Sequence, residues 1–217
     1  MWEVEFKMAE LREDLQKSLS ELRKGRKRKF DQTVELIINL QRFDVKRNSL
    51  NLFISLPYKI KEKKVAAFLE AQKQGLDTIT KTDFKKFKDK KEMKKFIRNY
   101  DFFIAQASMM PQVATSFGKV LGPAGKMPSP QLGIIQDTSD KTIQETKEKI
   151  NQSIKIRTKQ PSIKVAVGKE SMKDEEIIEN IMSIYNNVVK NLPREKNNIK
   201  NIEVKFTMTK PQKIKVI

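Results

Sequence analysis

Residues 33–41, Thr33-Val34-Glu35-Leu36-Ile37-Ile38-Asn39-Leu40-Gln41, read as a half-buried strand. Val34, Leu36, Ile38 and Leu40 fall on one side, and Glu35, Ile37, Asn39 and Gln41 on the other. The same two-residue period returns at Leu50, Leu52, Ile54 and Leu56, ahead of Pro57, with a polar turn from Asp44 to Asn48 between. The pair is read as two neighbouring antiparallel strands. Alternation then disappears through the middle of the chain and comes back at Ile163, Val165 and Val167, where Gly168 ends the strand, and again over 202–208 and 213–217. Two helices accompany these strands. One covers 6–22, with Phe6, Ala9, Leu15, Leu19 and Leu22 near helical spacing, and stops at Gly25 inside the basic run Arg23–Lys29. The other is capped by Asp174, carries Ile177, Ile178, Ile181, Ile184, Tyr185, Val188 and Val189 on one face, and ends before Pro193.

The middle of the chain follows another rule. Short apolar runs at Val65–Leu69, Thr78–Ile79 and Asp101–Ala107 alternate with helices at Lys85–Arg98, Val113–Leu121 and Thr142–Ile150. That order predicts a parallel, doubly wound sheet. Lys59–Lys64 and Arg157–Pro161 are hinge candidates on either side. Neither end of the chain supplies enough strands for a domain alone. Joined, they make a four- or five-stranded antiparallel sheet covered by helices. The fold class is therefore α/β with two domains: an outer, discontinuous α+β domain of residues 1–62 plus 157–217, and an inserted domain of residues 63–156.

Composition bounds the chemistry. The 217 residues include no Cys and no His, which removes the usual zinc ligands, Ser-His-Asp and Cys-His catalysis, and disulfides. Carboxylate–magnesium chemistry and lysine nucleophiles survive this test. The 45 Lys+Arg against 27 Asp+Glu give a formal charge of +18, spread over both ends and the middle. An excess of that size suits a polyanionic partner, because neutralised phosphates release condensed counterions. The bland reading is a set of solvated lysine-rich faces. No run approaches the length of a membrane span, and Met1-Trp2-Glu3-Val4-Glu5 carries acids where a secretory signal carries Lys or Arg, so a cytoplasmic protein with no membrane partner is expected.

Several short segments have two readings. Gly118–Pro128 (GKVLGPAGKMP) suggests a phosphate loop, but Val120 stands where that motif needs Gly, and Met127 where it needs Ser or Thr. It is either a shaped loop after a helix, or a place where Lys119 and Lys126 meet RNA phosphates. Phe30 either packs in the core or stacks on a base. Glu35 is a solvated carboxylate or a polar contact, and strand propensity alone accounts for Thr207.

Asp101–Met110 (DFFIAQASMM) and Phe117–Pro130 (FGKVLGPAGKMPSP) resemble the ribosomal protein L-one family, in its archaeal branch. The resemblance continues through Lys29–Glu35 (KFDQTVE), Val167-Gly168 and Phe206-Thr207-Met208. It implies a Rossmann-like, three-layer α/β insert within the outer domain. It also implies a ribosomal RNA-binding protein with no enzymatic activity, cofactor or metal, monomeric when free and otherwise associated with cytoplasmic ribosomes. Its partners would be the stalk of large-subunit ribosomal RNA, tRNA at the exit site, whose deacylated form it helps to leave, and its own mRNA, which it represses. The family's Glu-Thr-Met cluster falls on Glu35, Thr207 and Met208, with Phe30 as the accompanying aromatic. Thr33 and Gly168 lie in the matched segments and join the RNA-binding set. Lys29, Lys164 and Lys210 would meet phosphates. One departure concerns Thr209, where the family usually has Gly; either Lys210-Pro211 rebuilds the turn or RNA is held less tightly. The stretch after Gly75 is shorter than in bacterial members, and MWEVEF has no recognised counterpart. The alternatives are a non-ribosomal RNA-binding regulator or a ribosome assembly factor.

Overall fold

The computed structural model describes residues 2–25, 28–73, 75–87 and 89–214, with backbone alone at 2–8, 85 and 86. Arg26 and Lys27 of the basic run, Lys88, and the last three residues of the final predicted strand lie outside this description, as does the Phe6 side chain. Along the chain run α1 (Trp2–Arg23), β1 (Thr33–Leu40), β2 (Asn51–Ser55), β3 (Val65–Phe68), β4 (Asp77–Ile79), α2 (Lys90–Arg98), β5 (Phe102–Gln106) and α3 (Met110–Ala124). They are followed by β6 (Ile134–Ile135), α4 (Asp140–Gln152), β7 (Ser153–Arg157), β8 (Ser162–Lys169), α5 (Asp174–Asn191), β9 (Ile199–Phe206) and β10 (Gln212–Ile214). Two compact units result, one from 1–60 with 152–217 and the other from 61–151.

The outer unit is built on an antiparallel sheet ordered β10-β9-β1-β8. Val34, Leu36, Ile38 and Leu40 point to its buried side and meet Leu11, Leu15, Leu19 and Leu22 of α1 and the Ile177–Val188 face of α5. The four α1 leucines recur every three to four residues, so one stripe of the helix faces the sheet. Arg23 ends α1 by donating to Asp174 Oδ1, Glu170 O and Met172 O, each at 2.8 Å.

Four expectations change. β1 and β2 are not neighbours: β8 and β9 occupy both edges of β1, so β2 pairs with β7 in a separate two-stranded ribbon. Gly168 does not end β8 but lies inside it opposite Val34, beside a bulge at Val34/Glu35. A Cβ on Gly168 would stand 2.9 Å from Ile177 Cγ1, so the residue is small because α5 passes close by. Asp174 is the first residue of α5 and not its cap; the Glu176 carboxylate accepts from Lys173 N at 3.4 Å, while Asp174 pairs with Arg23. Arg157–Pro161 is the turn between β7 and β8, within the outer unit.

The second unit carries a parallel sheet ordered β4-β3-β5-β6. Its central strands β3 and β5 are buried on both sides, as parallel sheets require, while the edge strand β4 exposes Asp77. Ala66, Phe68, Phe103 and Ala105 face Met93 and Ile97 of α2 and Val113, Phe117 and Leu121 of α3. Val65, Ala67 and Ile104 face Ile143 and Ile150 of α4. Helix–sheet–helix layering of this kind is the Rossmann-like arrangement. The expected helix from Lys85 starts only at Lys90, where Asp89 caps it by accepting from Lys91 N. Phe84 and Phe87 belong to the preceding segment and pack edge-on against Phe117.

β2 leaves and β7 re-enters the outer unit side by side, with Ser55 opposite Ser153 and Leu56 N donating to Gln152 O at 2.7 Å. The two strands that lead out to the insert and back from it are thus hydrogen-bonded to one another, as the strands on either side of a tight turn would be. Replacing residues 61–151 by a short Gly/Ser linker is expected to leave an outer unit that unfolds cooperatively in denaturant. A broad, non-cooperative melt would show that the outer sheet needs the insert.

Candidate RNA-binding surface

The surface is assembled where β1 begins and β9 ends. Register places Val34 opposite Phe206 and Glu35 opposite Lys205. Phe206 is sealed in the core, so the chain surfaces at Thr207. There Thr207 N donates to Thr33 O at 3.1 Å, and Thr207 Oγ1 accepts from Thr33 N and reaches Thr33 O, both at 3.2 Å. This double tie joins the matched Lys29–Glu35 segment to the matched Phe206–Met208 segment. Met208 N donates to Gln32 Oε1 at 3.2 Å, which leaves the thioether outside, 56% exposed. Phe30 is 52% exposed, so it does not pack in the core. Glu35 is half-buried on the open side of the sheet, with Lys205 Nζ 4.0 Å from its carboxylate. Lys169 Nζ donates to Thr33 Oγ1 at 3.2 Å from the other flank.

The turn after Thr207 explains the departure from the family pattern. Thr209 Oγ1 accepts from Phe206 N at 2.9 Å and reaches Phe206 O at 3.2 Å, and Thr209 N donates to the same carbonyl. Among the described non-glycine residues only Arg42 and Glu195 have positive φ. Thr209 therefore sits in ordinary backbone and closes the turn with its own hydroxyl. Thr209→Gly is expected to cost about 1 kcal/mol of stability through the lost hydrogen bonds, measured by denaturant unfolding. A more stable glycine variant would mean that the turn is strained after all.

The other named residues fall in three places. Lys29 and Lys210 are exposed in the two loops beside Phe30 and Thr209. Lys164 is exposed but one pleat further along, opposite Ile37. Gly168 is buried beneath the surface and shapes it from below. Lys119 and Lys126 belong to the second unit. Lys119 is exposed on α3, whereas Lys126 Nζ donates to Ile97 O at 2.9 Å and Tyr100 O at 2.6 Å, which satisfies carbonyls at the end of α2. Burial holds the Lys126 ammonium below the ordinary lysine range, with Asp101 opposing that shift. The Gly125 backbone just before it is left-handed, φ 71°, and closes α3 with Gly125 N on Gly122 O and Lys126 N on Leu121 O.

Three contributors were not named from the sequence. Gln32 is buried and bridges Met208 N to Glu170, donating from Nε2 to the carboxylate at 3.0 Å. Lys169 and Lys205 supply the cations nearest Thr33 and Glu35. Lys205 shares the two-residue period of Thr207, a signal that becomes informative once β9 is known to pair with β1.

An antiparallel sheet interrupted by a parallel α/β insert, with polar and apolar tips presented at one end of the sheet, defines a protein of the two-domain α/β class. The family described as ribosomal protein L1p/L10e matches residues 22–210, and the chain belongs to that family. It is 36% identical over 215 residues to a protein of Methanothermococcus thermolithotrophicus, covering 94% of this chain and 98% of that one. It is 34% identical over 197 residues to one of Nanoarchaeum equitans, covering 86% and 92%. Against one of Pyrococcus abyssi the figures are 33% over 203 residues, 88% and 90%. All three relatives are named large ribosomal subunit protein uL1. Among the described residues no helix is long and apolar enough to cross a membrane.

Proposed function

We propose that this chain is a constituent of the large ribosomal subunit that binds the stalk region of its RNA through the surface where β1 begins and β9 ends. The observation that carries this reading is the Thr33–Thr207 tie. It presents Glu35, Thr207 and Met208 together, with the Met208 and Phe30 side chains left unburied. Phe30 offers a face for a base or ribose, and Met208 an adaptable apolar contact. The Glu35 carboxylate accepts from a ribose 2′-hydroxyl or a base amine, and Lys29, Lys205 and Lys210 meet phosphates. In this reading residues 1–62 with 157–217 form the RNA-binding domain, and the inserted domain adds little to specificity. The same reading has the protein working beside the exit site, assisting release of deacylated tRNA, and repressing its own mRNA when that mRNA carries a copy of the stalk site. The names of the relatives support the ribosomal assignment.

Glu35→Ala and Thr207→Val are each expected to weaken binding to the stalk RNA by about 1–3 kcal/mol, roughly 5- to 150-fold, with little effect on a scrambled duplex. The double variant costs less than the sum, because the two groups share one network. Binding isotherms with melting curves alongside decide the matter. Unchanged specific affinity in both folded variants would remove these residues from the site.

A further inference from the structure

A second cationic feature lies at the other end of the same sheet, where β1 ends and β8 and β9 begin. Arg42 holds a left-handed φ of 51°, a conformation unfavourable for a residue with a Cβ. A buried side chain enforces it. Asn198 donates from Nδ2 to Gln41 O at 3.1 Å and Arg42 O at 3.2 Å, its Oδ1 accepts from Arg194 N at 2.8 Å, and Gln41 N donates back to Asn198 O at 2.8 Å. The clamp fixes Arg42 on an open groove of about 830 Å³, shared with Lys46 and Lys159 and lined also by the apolar Phe43, Val45 and Pro161. The acid in its lining is Asp44, whose carboxylate is engaged within its own turn, accepting from Lys46 N at 2.9 Å and lying 3.7 Å from Arg47.

We propose that this groove is a phosphodiester-binding site that takes the backbone of an RNA strand, separate from the surface at Glu35, Thr207 and Met208. Three cations drawn from two turns along an apolar shelf fit successive phosphates with riboses between them, and the groove is too open to enclose a free anion. At about 3.3 Å per residue, β1 sets the two sites roughly 25 Å apart. The open side of the sheet between them is not bare. Ser162 Oγ donates to Asn39 Oδ1 at 2.9 Å, Asn39 Nδ2 to Asn201 Oδ1 at 2.7 Å, and Asn201 Nδ2 to Glu203 Oε1 at 3.2 Å, a polar row across three strands next to the groove. The proposal rests on the preceding reading for the kind of partner, but not for the residues that read sequence.

The test measures binding against salt concentration for the wild type, Lys46→Ala/Lys159→Ala and Arg42→Gly. The probes are the stalk RNA and a scrambled duplex of equal length. Both lysines are exposed, and their loss is expected to lower the slope of log K against log salt by about two units on both RNAs, with sequence preference unchanged. Arg42→Gly is expected to lower it by about one unit while the melting temperature holds or rises, since glycine adopts φ 51° freely. A residue kept for structure alone would not trade stability against binding in this way. Slopes equal to the wild type in the lysine pair overturn the proposal, whether or not Arg42→Gly folds. Variants at Glu35 and Thr207 report on the specific surface independently, so failure of one reading is distinguishable from failure of the other.

Discussion

Asn180→Leu is expected to lower the unfolding free energy by about 3–5 kcal/mol, enough to remove a large part of the stability of a protein this size. Asn180 lies on the buried face of α5 with no exposed surface. Its Oδ1 accepts from Tyr58 N at 3.0 Å, and its Nδ2 donates to Tyr58 O at 3.1 Å and Val167 O at 2.9 Å. One amide therefore satisfies both backbone groups of Tyr58 and a carbonyl of β8. Leucine has nearly the same shape but abandons all three; the buried Val167 carbonyl left without a partner costs about 1–3 kcal/mol, and the part-buried Tyr58 groups add to it. Urea unfolding would show the midpoint falling with the slope unchanged. A loss below about 1 kcal/mol would mean that these groups find new partners through a shift of the Tyr58 segment.

Gly168→Val is expected to cost about 3 kcal/mol and to weaken RNA binding as well. A Cβ there would meet Ile177 Cγ1 at 2.9 Å and Met172 Sδ at 3.4 Å, and valine adds two further methyl groups to a place already too tight for the first carbon. Relief requires α5 to move off the sheet or β8 to move off β1. The second movement disturbs Val34 opposite Gly168, and with it the Thr33–Thr207 tie. Gly168→Ala separates the two effects, since a single methyl needs only a small rotation of Ile177. Thermal melts of both variants, with stalk-RNA affinity beside them, check the order glycine, alanine, valine. Equal stability across the series would mean that the helix has room to spare.

These two residues also show where reading the sequence stops. Alternation located β1, β8 and β9 because one side of each strand is buried, and helical spacing located α1 and α5 for the same reason. It could not show that β2 belongs beside β7. β7 is short, its buried positions Ser153 and Ile156 do not alternate, and it follows α4 without a break. Locally Gly168 reads as a strand breaker, because a local reading sees only the chain, whereas its size is dictated by Ile177, which arrives from the next helix. The sequence likewise gives no sign that Lys126, a candidate phosphate contact, donates to the Ile97 and Tyr100 carbonyls at the end of α2 and just beyond it. Within the candidate surface, the motif segments named Glu35, Thr207 and Met208, but not the groups that orient them. Gln32 looks like any polar loop residue until its amide is found between Met208 and Glu170.

The central position of β1 has a consequence for synthesis on the ribosome. β1 is flanked by β8 and β9, and both are made only after the whole of residues 61–151. At about 5–20 residues per second, its apolar side waits roughly 6–30 s for its strand partners, with α1 and the β2 segment the parts of the shared core already made. The insert, a compact unit built from one continuous stretch of chain, can fold during that delay. As it does so it draws Lys61 and Asn151 towards one another and shortens the loop that β2 and β7 must close. The nascent chain is thus most exposed to strand mispairing before β8 emerges, and the early-folding insert shortens the search that ends that exposure.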